Sequence, residues 1–265
     1  SGMILKDIKG QLEFRDVAFY YEKGVDVLED INLRIKPGET IGLVGPTGSG
    51  KSTIANLLMR YYEPTEGEIL LDGIDIRDIN LNSWRSQIGI VLQEPLLFRD
   101  TIANNIAYGK PDATMEEIIE SAKIANAHDF ISHLPDGYDT RLGERGIGLS
   151  GGERQRISIA RAVIKDPRII ILDEATSAVD TQTEKLIQEA IEPLLKGRSS
   201  LVIAHRLSTI LAANQILVMD DGRIVQQGTH GDLIEEDGVY RALYEAQFKK
   251  LLAEKDRLRL RVAGA

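Results

Sequence analysis

The sequence predicts an α/β fold: a core on a mainly parallel sheet that carries a glycine-rich loop, with an added antiparallel β subdomain and an inserted helical subdomain. Three observations lead there. The first is a strand-length apolar run, Ile41-Gly42-Leu43-Val44, which passes through Gly45-Pro46-Thr47-Gly48-Ser49-Gly50-Lys51-Ser52-Thr53 into the helix-forming Ile54-Ala55-Asn56-Leu57-Leu58-Met59. The second is a set of short apolar runs, Ile169-Ile170-Ile171-Leu172, Leu201-Val202-Ile203-Ala204 and Ile216-Leu217-Val218-Met219. Continuous runs like the first two mark strands buried on both faces of a parallel sheet. The third is a pair of alternating stretches, residues 11–35 and 67–76, with the pattern of a small antiparallel sheet.

Taken in order, Leu12, Phe14, Val17 and Phe19, then Ile31, Leu33 and Ile35, supply the first alternation, and Pro37-Gly38-Glu39 turns into the strand before the glycine-rich loop. The second strand pair bends at Asp72-Gly73. From Pro95 to about Arg161 the sequence is mainly helical. Thr114-Met115-Glu116-Glu117 fits a capping box, after which Met115, Ile118, Ile119 and Ala122 fall on one face. Gly151-Gly152 precedes another helix, whose Ile157, Ala160, Arg161 and Ile164 share a face. Asp220-Asp221-Gly222-Arg223 turns the chain into Ile224-Val225 as an edge hairpin. After Gly238, Tyr240, Leu243, Tyr244, Phe248 and Leu251 keep helical spacing. From Lys249 to Arg261 six basic residues face two acidic ones, which suits a solvated terminal helix or tail; the other reading is a membrane-surface contact. Ser1-Gly2 ahead of Met3 resembles a pair left by tag removal, so a longer natural chain is expected. The organisation is then residues 1–2 as remnant, 3–248 as one domain with the helical part at about 95–161 inserted, and 249–265 as charged tail.

Composition narrows the class. At 265 residues, 43% hydrophobic and 28% charged, the chain can bury one large core or two modest ones. Zero cysteines exclude a disulfide framework and cysteine-based metal sites or nucleophiles. A net charge of -9 argues against bare nucleic acid as main partner. No run approaches the ~18 apolar residues of a membrane span, and the chain as given is expected to be soluble.

The loop spacing fits G-x-x-x-x-G-K-[ST], in which backbone amides wrap phosphate oxygens, a lysine reaches the terminal phosphates and a hydroxyl ligates magnesium. The helix that follows points its N-terminal dipole at the same anion. Gly45 to Thr53 therefore reads as a nucleoside triphosphate site. Ile169 to Leu172 ends in Asp173-Glu174, two carboxylates at a strand tip where open α/β sheets bind ligands. Asp173 can hold magnesium through water, and Glu174 is then placed as general base. Gln93 follows the strand-like Ile90-Val91-Leu92; it can reach magnesium or an attacking water, or be a solvated polar residue. His205 follows Leu201 to Ala204 in the same way, as a structural or a catalytic histidine. Tyr20 and Tyr21 read equally as half-buried strand aromatics or as a ring that stacks on a base.

With Leu149-Ser150-Gly151-Gly152-Glu153 ahead of the second helix, the phosphate loop, Gln93, Asp173-Glu174 and His205 complete five ordered motifs. Together they resemble the nucleotide-binding domain of an ABC transporter, over roughly Gln11 to Gln247. Leu97-Phe98-Arg99-Asp100-Thr101-Ile102, Gly143-Glu144-Arg145-Gly146, Asp173 to Asp180 and Ile203 to Thr209 resemble the exporter branch (multidrug and lipid exporters), in which a membrane-spanning domain precedes this one in the same polypeptide, here upstream of Met3. The resemblance implies an ABC ATPase fold and an ATPase using ATP and magnesium at the cytoplasmic face of a membrane. It implies that Tyr21 stacks on adenine, Gly45 to Gly50 wrap the phosphates, and Lys51 contacts the β- and γ-phosphates. Ser52 would ligate magnesium with Thr53 nearby, and Gln93 would sense magnesium and the γ-phosphate. Glu174 would be the base, and His205 would hold the γ-phosphate and water. Ser150, Gly151 and Gly152 would act in trans on nucleotide held by a second copy or a homologous domain, with Asp180 contacting that partner. Two positions depart from the family pattern. Glu153 stands where many members have glutamine and is expected to tune the interface; Arg141 stands where many exporters carry an acid that meets the membrane domain.

Three rivals are weaker. Chromosome and repair ATPases insert coiled coils or zinc modules where this chain has about a hundred residues without heptads or cysteines. A binding-only regulatory domain has no use for Glu174 and His205. An ABC importer subunit, the nearest rival, is disfavoured by the exporter-like stretches.

Overall fold

The structure, a computed structural model, describes residues 2–146, 148–174 and 179–246. Residues 175–178, and 247–265 with Phe248, Leu251 and the basic run, lie outside the described residues. Strands β1 (Leu12–Glu22), β2 (Val25–Ile35) and β3 (Thr40–Val44) lead into α1 (Lys51–Leu58), β4 (Glu66–Leu71), β5 (Ile74–Asp75), α2 (Leu81–Ser86) and β6 (Ile88–Val91). Next come α3 (Ile102–Ala107), α4 (Met115–Ile124), α5 (His128–Ser132), α6 (Gly151–Lys165) and β7 (Ile169–Asp173). The chain continues with α7 (Thr181–Leu195), β8 (Ser199–Ile203), α8 (Leu207–Ala212), β9 (Gln215–Asp220), β10 (Arg223–Gly228), α9 (His230–Glu235) and α10 (Val239–Tyr244). The α/β class and all the strands expected from the sequence are present. The chain divides into two compact units.

The first unit comprises Ser1–Leu12, Ile35–Thr40 and Leu70–Val202. In it β7 lies between β6 and β8, and β6 runs parallel to β7, from Ile88 opposite Ile169 to Val91 opposite Leu172. Ile169 through Leu172 are all buried, because a parallel strand is covered on both faces. Against this sheet packs α6, which also contacts α3, α4 and α7. The capping box of α4 forms: Glu117 N donates to Thr114 Oγ1 at 3.3 Å, and Thr114 N to Glu117 Oε2 at 2.9 Å. Ile118 and Ala122 are buried, whereas Met115, the first helical residue, is exposed; periodicity assigns a face but not how far the neighbouring helix reaches along it. Further departures concern helices, and α2, α8 and α9 as well as α7 are not expected from the sequence. The glycines Gly151 and Gly152 form the first turn of α6 and do not precede it. Helix α7 has no counterpart in the sequence reading, although Ile187, Ala190, Ile191 and Leu194 keep helical spacing and are buried; Pro193 in its last turn argues locally against a helix.

Arg161 anchors the segment that follows Gln93. From α6 its guanidinium donates to Asn105 O (2.8 Å), Leu96 O (2.7 Å) and Asn105 Oδ1 (3.1 Å). It also lies 5.3 and 5.6 Å from the ring centroids of Phe98 and Tyr108, within cation–π range. Burial pushes its pKa down to about 10, which still leaves it charged at neutral pH. Asn105 closes the same knot, accepting from Phe98 N and donating to Phe98 O and Thr101 O.

The second unit comprises Glu13–Arg34, Ile41–Ile69 and Ile203–Ala265. Here β9 lies between β3 and β10. Strand β3 is parallel to β9, from Ile41 opposite Gln215 to Val44 opposite Val218, and β10 returns antiparallel. Asp221 (φ 45°) and Gly222 (φ 74°) make that hairpin, both residues having the positive φ of the tight turn whose twist matches the strands. Strand β1 lies between β2 and β4, the expected antiparallel addition.

Replacing Arg161 by Ala removes three hydrogen bonds, two to the buried Asn105 of α3 and one to Leu96, and leaves the oxygens that accept them without this donor. A urea titration should show a loss of about 2–3 kcal/mol; a loss within ~0.5 kcal/mol, the range of ordinary surface substitutions, would mean that Arg161 does not anchor the segment.

Candidate active site

In the second unit the chain leaves β3 at Val44 and must turn at once against β9. A Cβ at Gly45 would lie 2.3 Å from Met219 O, so only glycine allows this approach. The loop tip, Thr47 and Gly48, is exposed and Pro46 half-buried. The loop ends at Gly50, the left-handed N-cap of α1, with no side-chain cap bond and no acid in the first turn. The amides of Lys51, Ser52 and Thr53 open α1 without a competing carboxylate, the arrangement that receives an anion. Lys51 is buried, and its Nζ donates to Gly45 O (2.6 Å), Pro46 O (2.9 Å) and Ser49 Oγ (3.4 Å). The β9–β10 turn braces the loop: Gly222 N donates to Ser49 O at 3.1 Å, and Glu29 N to Gly222 O at 2.9 Å.

Tyr21, half exposed at 48%, meets the rings of Phe19 and Tyr62 edge-on at 4.7 and 4.9 Å. Its hydroxyl lies 3.1 Å from Thr53 Oγ1 and accepts from Asn56 Nδ2 at 3.3 Å. The structure thus ties Tyr21, and not Tyr20, to the helix that opens at the phosphate loop. His205 follows β8, where Ala204 N donates to Leu43 O of β3 at 3.0 Å. Burial first, and then the Lys51 charge, hold its imidazole below its usual pKa, so at neutral pH it is a neutral donor–acceptor.

In the first unit, Gln93 lies just past β6, Asp173 ends β7 and Glu174 follows it. Because β6 and β7 are parallel and in register, both strands deliver these polar residues at the same C-terminal edge. Gln93 and Asp173 are half-buried and Glu174 is 1% exposed; burying a polar side chain at such depth is costly, which singles Glu174 out as a candidate site residue. Among the described residues no three His, Asp or Glu side chains form a metal cage.

The signature stretch opens α6. Ser150 is its N-cap: Glu153 N donates to Ser150 Oγ at 3.2 Å, and Ser150 N donates to Glu153 Oε2 at 2.8 Å. Glu153 therefore completes a capping box, a role glutamine also fills. A Cβ on Gly152 would lie 2.2 Å from Thr183 Cγ2 of α7, so this glycine lets two helices approach. Asp180 caps α7, accepting from Thr183 N (3.0 Å) and Thr183 Oγ1 (2.6 Å); these bonds hold its carboxyl below the usual range. Arg141 pairs as a bridge with Thr101, and its charge helps, after Asn104 and the Thr101 amide, to hold Asp100 low. Thr183, Gly222 and Tyr62 do not stand out in the sequence as site residues. Thr183 has a local signal, at the third position after a capping aspartate; the other two are brought to the site only by tertiary contacts.

A family model described as "ABC transporter" matches residues 28–177. An ATP-dependent lipid A-core flippase of Hahella chejuensis is 56% identical over 245 residues, 92% of this chain and 42% of the relative. The same protein of Legionella pneumophila is 54% identical over 248 residues, 93% and 42%, and ABC transporter B family member 3 of Dictyostelium discoideum is 54% identical over 248 residues, 93% and 17%. Among solved structures, that of a bacterial Atm1-family ABC exporter with ATP bound is similar at a TM-score of 0.85 and 43% identity, over 93% of this chain and 44% of that one. The chain spans less than half the length of the curated relatives it matches.

Gly152→Ala forces its methyl onto Thr183 and should cost about 1–3 kcal/mol. Thr183→Ser deletes the opposing methyl but keeps the hydroxyl for Asp180, and in combination it should restore most of the loss. Thermal melts of the two single and the double variants check this; additive losses would refute the contact.

Proposed function

Because the chain belongs to the ABC transporter family, we propose that it is the ATP-binding and ATP-hydrolysing domain of an ABC exporter. The observation that carries this reading is the phosphate loop, whose helix opens without a side-chain cap or acid while Lys51 Nζ is held among the loop carbonyls. That donor set suits a polyphosphate.

In this reading Gly45 to Gly50 wrap the phosphates, Lys51 Nζ turns to the β- and γ-phosphate oxygens, and Tyr21 stacks on adenine. Ser52, Gln93 and Asp173 would hold Mg2+, Asp173 through water, and the bound cation would supply positive charge against that of the phosphates. Glu174 takes a proton from the attacking water as its oxygen bonds to the γ-phosphorus; the bond to the bridging oxygen breaks and ADP leaves with the electron pair. His205 holds the γ-phosphate and the water. Ser150, Gly151 and Gly152 act in trans on nucleotide bound by a second copy or a homologous domain, and Asp180 contacts that partner. Closure of two such domains on ATP and their parting after hydrolysis would drive a membrane-spanning part between its two states.

Among the described residues no helix is long and apolar enough to cross a membrane. We assign that task, and the choice of substrate, to the remaining length of the full protein, with this domain on the cytoplasmic face and nucleic acid not a partner. An importer subunit is the nearest alternative; the exporter and flippase names of the relatives favour export.

Magnesium-dependent ATP hydrolysis measured against protein concentration tests the reading. Specific activity should rise with concentration. Glu174→Gln should lower turnover by about 10²-fold or more while ATP still binds and an ATP-bound dimer accumulates; unchanged turnover would remove Glu174 as base. Lys51→Ala should weaken ATP binding by about 10- to 100-fold, and equal affinity in a titration would overturn the phosphate-loop assignment.

A further inference from the structure

Helix α10 is fastened to its own unit by bonds to β10 and α9. Gln226 of β10 accepts from Tyr240 N at 2.9 Å and donates to Glu236 at 3.2 Å. The Tyr240 hydroxyl lies 2.6 Å from His230 Nδ1, and the residue is 2% exposed. Burial pushes that phenol up to about 12, so it stays protonated at neutral pH, and which of the two atoms donates follows the His230 tautomer. The His230 ring also lies 5.3 Å from that of Tyr244. A short helix so anchored is rigid relative to β10.

One face of this helix, Tyr240, Leu243 and Tyr244 at i, i+3 and i+4, encloses with Gly45, His205 and Ile210 a cavity of about 20 Å³. That volume admits at most about one water molecule, so the space is a close-packed joint and not a ligand pocket. On its far side are the first residue of the phosphate loop and the imidazole. Titratable groups that face His205 include Lys51 of α1 and, across the cavity, the two tyrosines of α10.

We propose that α10 is a brace behind His205: Tyr244, and through its anchor Tyr240, are positioning residues that fix the imidazole beside Gly45 and so set the rate of hydrolysis. The proposal rests on the reading of His205 as the group that holds the γ-phosphate and water. It places control of turnover in the last described helix of the chain.

Histidine NMR titration, beside ATPase kinetics, tests it. The chain has four histidines, and His128 and His133 lie in the other unit as internal controls. In Tyr244→Ala the His205 midpoint, held low by burial and Lys51, should move up while those of His128 and His133 stay in place. In the same variant kcat should fall about tenfold with KM for ATP within about twofold, the signature of a displaced catalytic group and not of lost binding. An unmoved His205 midpoint, or an unmoved kcat, overturns the brace. Should Tyr244→Ala not fold, Tyr240→Phe, which loses only the hydroxyl bond to His230, must shift both readouts the same way by less. His205→Ala separates the two ideas: full turnover in that variant overturns His205's own role, whereas lost turnover there beside an unmoved His205 signal in Tyr244→Ala overturns the brace alone.

Discussion

A buried ammonium is costly unless its donors are used, and Lys51 uses them on the carbonyls of Gly45 and Pro46. Those carbonyls face inward only because the loop turns directly off β3, against Met219 O, at a residue with no side chain. The geometry of the phosphate-loop unit follows from this one arrangement. The parallel pairing of β3 with β9 puts Met219 where the turn must clear it. The β9–β10 hairpin returns Gly222 to hold Ser49, and Tyr21 is drawn to Thr53 on the helix that the loop opens. The same ammonium that favours phosphate disfavours a proton on His205, so the loop and the histidine are electrically linked.

The carboxylate half of the chemistry obeys a different rule. Apolar strands covered on both faces can change polarity only where they end, and parallel strands end together. Gln93 and Asp173-Glu174 need no local motif to come near each other; the register of β6 on β7 is sufficient. Arg161 then pins the segment beyond Gln93 to α6, so its first residues depart from the strand in a defined direction.

Several residues that the family resemblance assigns to nucleotide or partner already have structural work in the single chain. Ser150 and Glu153 cap α6, Asp180 caps α7, and Gly152 is the thinness that lets α6 pass Thr183. Loss of activity on changing any of them therefore needs a stability measurement beside it. Glu153, in sequence a departure expected to tune an interface, acts here as a helix cap, and a carboxylate and an amide serve a cap equally. Interface and cap are compatible roles, because the cap uses one carboxylate oxygen.

The local grammar of the chain is legible in the order of its residues: the loop from Gly45 to Thr53, the buried runs at 169–172 and 201–204, the capping box at Thr114 and the hairpin at Asp221-Gly222 are written in adjacent positions, where backbone preference and pattern decide. Even the candidate site residues Lys51, Glu174 and His205 can be named that way, because each stands at a strand end or loop whose chemistry is local. What the sequence by itself does not decide is which distant atoms meet. That Gly152 must be small because of Thr183, that Met115 stays in solvent, that α7 forms through Pro193, and that Tyr240 and Tyr244 stand behind His205 all depend on contacts between residues far apart in the chain. Such contacts are settled by close packing, which has no period to read along the sequence.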